Sequence, residues 1–126
     1  MFSIEMAFGH SRKDGSLVPF EQIQEAKCLA LVRFAELFSG GRALACDGSY
    51  LTKDAKIILE NATIITTYTR DIPTSVWVQL LLLSGRIAAM LDQENVLLEW
   101  HLVFGAIVFV EPLQQFFKKS LKLMAF

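Results

Sequence analysis

The chain has 126 residues, of which 53% are hydrophobic and 20% charged, with a formal net charge of −1. That length holds one domain with a single core, and that composition excludes a disordered chain. The near-neutral balance leaves no basic excess for a phosphate backbone, so no nucleic-acid partner is expected.

Phe2 to Phe8 alternates Phe2, Ile4, Met6 and Phe8 with Ser3, Glu5 and Ala7, the period-two pattern of a half-buried strand. Gly9 to Ser16 reads as a turn with Asp14-Gly15 at its tip. Pro19 suits a first helical position and Glu21 the positive end of a helix dipole. This helix runs to about Phe38, with Ile23, Ala26, Ala30, Leu31, Phe34, Leu37 and Phe38 inward, and Gly40-Gly41 ends it. Cys28 is placed on its apolar side. Neither Cys28 nor Cys46 has a partner at metal-ligand spacing, so both are expected as buried free thiols. Arg42 to Leu51 makes a second strand, bent or bulged at Asp47-Gly48 because a glycine inside a strand pattern marks a distortion. After a turn at Thr52-Ala55, the Ile- and Thr-rich segment Lys56 to Tyr68 is the third strand.

From Pro73 to Leu91, Arg86 is the one charge in nineteen residues. A helix apolar around most of its circumference needs cover on more than one side. Asp92 to Asn95 closes it, and Val96 to Val110 is a long fourth strand stopped by Pro112. In the tail, residues 113–126, Phe116, Phe117, Leu121 and Met124 stand opposite Lys118, Lys119 and Lys122 at helical spacing. That pattern predicts an amphipathic helix packed on the body or on a partner subunit, and its basic face also suits a membrane surface.

The order of elements predicts an α+β, ferredoxin-like βαββαβ fold over residues 1–126, with helices on one face of an antiparallel sheet and an extra C-terminal helix. The first and third strands lie centrally and the fourth flanks the first. Both sides of the third and fourth strands are apolar, whereas a sheet with one wet face alternates. A homodimer or higher homo-oligomer is therefore expected, in which open sheet faces, or the second helix and the C-terminal segment, pack on symmetry mates. No uncharged apolar run reaches the ~18–20 residues that span a bilayer, and no signal-peptide pattern opens the chain, so a soluble, cytoplasmic protein is expected.

Several short pieces resemble a family of small bacterial proteins known only as a domain of unknown function. They are Glu5 with Phe8-Gly9, Asp14-Gly15, Gly48-Ser49-Tyr50, Glu60, and Gln93-Glu94-Asn95-Val96, and together they extend over most of residues 4–104. The resemblance implies an α+β fold and carries no assigned activity.

Glycine-rich nucleotide loops, Cys-x-x-Cys, His-Glu-x-x-His and Gly-x-Ser-x-Gly are all missing from the sequence. No cofactor and no structural metal are expected. What remains is Glu5, Glu60 and Glu99 inside strands, with His101 on Glu99's side of the same strand. If register keeps them on one face, such a group can hold a divalent cation or pair a carboxylate with a histidine as general base. The competing reading makes them rim charges partnered by Arg12, Arg42, Lys56 or Arg70. His10, beside Arg12 and Lys13 in the first turn, is a candidate with Arg12 for holding an anion. The function expected is a non-enzymatic homo-oligomeric assembly or protein-interaction module. The alternative is a small enzyme or ligand-binding protein using Glu5, Glu60, Glu99 and His101 on the sheet face or at a subunit interface.

Overall fold

The computed structural model describes residues 1–51 and 53–103. Strands β1 (Phe2–Gly9), β2 (Arg42–Leu51), β3 (Ile57–Thr69) and β4 (Leu97–Leu102) form one antiparallel sheet in the order β2-β3-β1-β4. Helix α1 (Phe20–Phe38) joins β1 to β2 and helix α2 (Thr74–Met90) joins β3 to β4. This is the ferredoxin-like α+β arrangement, with β1 and β3 central. The helix expected at 113–126, and the expected fourth strand beyond Val103, lie outside the described residues.

Alternation along β1 decides the layering. Ile4, Met6 and Phe8 are buried towards the helices, while Glu5 and Ala7 stand on the other face. Ile65 of β3, Ile23, Ala26, Ala30 and Phe34 of α1, and Leu80, Leu83 and Ile87 of α2 complete this core. Ser84 belongs to the buried stripe of α2, and its hydroxyl is satisfied there by donating to Leu80 O at 2.9 Å. The outer side of α2 is apolar, and Val78, Leu81 and Leu82 on it are all exposed. No described helix is long and apolar enough to cross a membrane.

Three local expectations are corrected. Neither cysteine is fully buried: Cys46 is half-buried, and Cys28 is exposed. It lies two residues from both Ala26 and Ala30, about 200° around the helix from the buried stripe. The α1 terminus turns left-handed at Ser39 (φ 67°) and not at a glycine. Gly41 serves packing instead, since the Phe34 side chain lies 3.0 Å from where a β-carbon would stand. The β2–β3 ladder passes Asp47 and Gly48 without a bulge, pairing them with Asn61 and Glu60.

One part of the sheet outruns the rest. The β1–β3 ladder starts at Gly9 opposite Ala62, and His10 N donates to Asn61 O at 3.0 Å just beyond it, so Ile57–Glu60 pair with β2 alone. A two-stranded arm therefore projects past the body. Ile57 and Leu59 on it are 73% and 80% exposed.

Candidate functional site

Register places Glu5, Glu60 and Glu99 on the face of the sheet away from the helices. Glu5 stands directly opposite Glu99 on β4 and opposite Thr66 on β3. Glu60 shares that face but lies six residues along β3 from Thr66, about 20 Å in an extended strand. The four candidates thus separate into a group of three and a lone carboxylate. Glu5, Glu99 and His101 each bring one ligand atom within 4.8 Å of the others. His101 Nε2 lies 2.9 Å from Glu99 Oε2.

Glu60 belongs to a different place, a cleft of about 1010 Å³ between the arm, the loop after β1 and the start of β4. Its carboxylate lies over the α-carbon of Gly9, where any side chain would collide with it. Two further walls of the cleft are built by hydrogen bonding. The first is the loop itself, in which Asp14 Oδ1 accepts from Ser16 N at 2.9 Å and from Ser16 Oγ at 2.6 Å, closing the turn around Gly15. The second is the α2–β4 turn. Here Asp92 adopts φ 51°, Gln93 N donates to Ala88 O and Asp92 N to Ala89 O, a Schellman ending with an aspartate in the position usually taken by glycine.

Gln93 joins these two walls. Its Nε2 donates to Gly9 O at 2.5 Å and Ser11 O at 3.0 Å, and Lys13 Nζ adds an ion pair to Asp92 at 3.3 Å. Both amide hydrogens of Gln93 are thereby used, and its buried Oε1 has no hydrogen-bond partner among the described residues. Arg12, Glu94 and Asn95 also line the cleft. Glu60, Gly9, Gly15 and Gln93-Glu94-Asn95-Val96, scattered through the sequence, all meet there.

His10 and Arg12, paired as anion candidates in the sequence, face different surroundings. Arg12 lines the cleft and its Nη1 donates to Ser16 Oγ at 3.4 Å. His10 turns to the helix side, with Nε2 2.8 Å from Thr63 Oγ1, and lines a groove of about 360 Å³ beside α1. Burial lowers its pKa below the usual histidine value, opposed by the negative charge of Glu60. A neutral imidazole hydrogen-bonded to a threonine is a poor anion receptor. Gln93 and Asn95 were not singled out for a role in the sequence. Their polar run between an apolar helix and an apolar strand was the available signal.

No protein-family model matches the chain, and no curated protein sequence matches it. Among solved structures, a phage SAM lyase in complex with S-methyl-5'-thioadenosine is similar at 16% identity and TM-score 0.55, over 79% of each chain. The same kind of lyase in its apo state is similar at 15% identity and TM-score 0.53, over 79% of this chain and 78% of that one. CutA from Pyrococcus horikoshii overlaps 97% of each chain at 13% identity and TM-score 0.47. The lyase likenesses support the fold described above.

Proposed function

We propose that this chain is a homo-oligomeric assembly module whose β2–β3 arm docks on a second copy. The exposure of Ile57 and Leu59 on a projecting two-stranded arm carries this reading. A hairpin standing alone is marginally stable in water, and large aliphatic side chains that far out of the core gain stability only from a covering surface. Leu44 and Leu97 on the helix-free face, and Leu82 on α2, extend the apolar surface that needs cover. The test is Leu59→Glu. In a lone subunit this change at an exposed site costs within about 0.5 kcal/mol. In the assembly it places a charge in a dry contact, so sedimentation or gel filtration should show the variant as a smaller species than the parent. Equal masses for the two proteins would contradict the reading.

A second reading is favoured by one observation. The Glu60 carboxylate, the Arg12 guanidinium and the Gln93 and Asn95 amides come from three separate segments to line one cleft. Its size lies at the upper end of the range for small-molecule sites, roughly 300–1,000 Å³. Opposite charges and amides on facing walls suit a small polar molecule carrying both donors and acceptors. S-methyl-5'-thioadenosine, held by the phage SAM lyase, is a practical first probe. Saturable binding that Glu60→Gln weakens is the expected result in calorimetry, and no binding, or binding indifferent to Glu60→Gln, counts against a role for this cleft with that probe.

A further inference from the structure

We propose that Glu5, Glu99 and His101 form a site for one divalent transition-metal ion on the helix-free face of β1 and β4. This is independent of the assembly reading and lies apart from the cleft. The β1–β4 register sets Glu5 directly opposite Glu99, with His101 two residues further along the same side of β4. One donor atom from each residue lies within 4.8 Å of the other two. Donors held about 2.0–2.2 Å from zinc in a tetrahedron stand about 3.4 Å apart. His101 Nε2 and Glu99 Oε2, 2.9 Å apart, are already near that spacing. Torsional adjustment of the long Glu5 side chain brings in the third donor.

Two features separate this set from an ordinary acidic patch. The first is its chemistry: an imidazole nitrogen with two carboxylates suits zinc and neighbouring first-row ions, whereas magnesium and calcium sites are built from oxygen. The second is the charge balance. Like charges directly opposite each other across a ladder destabilise it, yet among the described residues neither half-buried carboxylate is paired with a lysine or arginine, and Glu99 has the His101 imidazole beside it. A bound cation supplies the missing charge. The donors come from two adjacent hydrogen-bonded strands rather than a loop, so the backbone positions that carry them are fixed before the ion arrives. Because the apolar core lies on the opposite face, the ion is exchangeable and the chain folds without it.

Calorimetric titration of the full chain, stripped with a chelator, with zinc chloride alone tests the site. One ion per chain is expected, together with a raised melting temperature. Glu5→Gln, Glu99→Gln and His101→Ala should each weaken binding at least about tenfold while leaving the far-UV circular dichroism unchanged. Absence of saturable zinc binding overturns the proposal. So does zinc binding that stays within about threefold of the parent in Glu99→Gln or His101→Ala, because the ion then sits elsewhere.

Discussion

At Gly9 the backbone passes directly beneath the Glu60 carboxylate, so the absence of a side chain there keeps Glu60 where it is. The obstructing group is the end of a flexible side chain, which can swing away. Gly9→Ala is therefore expected to change stability by no more than about 1 kcal/mol but to displace the carboxylate, visible as a shift of the Glu60 side-chain carbonyl resonance. His10 gives a second residue-scale expectation. Its pKa is lowered from 6.5 by burial, with Glu60 partly opposing. The unfolded chain then takes up the proton first as pH falls, so the stability His10 contributes is complete above 6.5 and is lost as pH falls through the folded-state value. Urea midpoints of the parent and of His10→Gln at pH 7.5 and 5.5 check this, the parent being the more pH-sensitive of the two. Alternation along the strands made it legible that the three glutamates can share a face. Which of them meet was not legible, because convergence depends on which residue opposes which, and that follows from the whole ladder. Glu5 meets Glu99, and Glu60 stands six residues away from their partner on β3.

Among the elements, α1 was the most readable because apolar residues recur at helical spacing and polar ones fill the gaps. Phe34, fully buried, packs edge-on against Phe38 at 5.5 Å and lies against Gly41. Phe34→Ala should cost about 3–5 kcal/mol, measurable by urea unfolding. The misreadings have particular causes. Cys28 is an apolar residue type at a solvent-side position, and its spacing of two residues from Ala26 and Ala30 outweighs its type. Gly40-Gly41 looked like a stop signal, but Ser39 takes the left-handed turn first, and the glycine at 41 yields space to Phe34. The second helix was expected to be covered on several sides. Among the described residues it is covered on one, and Leu82 on its outer side is 68% exposed. The Gln93 clamp joins α2 to the β1 loop through two carbonyls. Gln93→Ala should loosen both cleft walls, raising amide hydrogen exchange at Ser11 to Gly15 and costing about 1–3 kcal/mol of stability.

For the whole molecule, layer order and strand order were readable from the succession of elements, since a βαββαβ chain with short connections has few ways to fold. The projecting arm was not, because nothing in the residues says that β1 stops five residues before β3 does. What the sequence did show was an excess of apolar residues on both sides of the strands, and the structure turns part of that excess into exposed surface on the arm, the open face and α2. Assembly with a second copy gives all three surfaces their cover. Light scattering of the full chain at micromolar concentration tests it most directly. A mass at least twice the 14.2 kDa of the single chain is expected, and a clean monomer under those conditions overturns assembly.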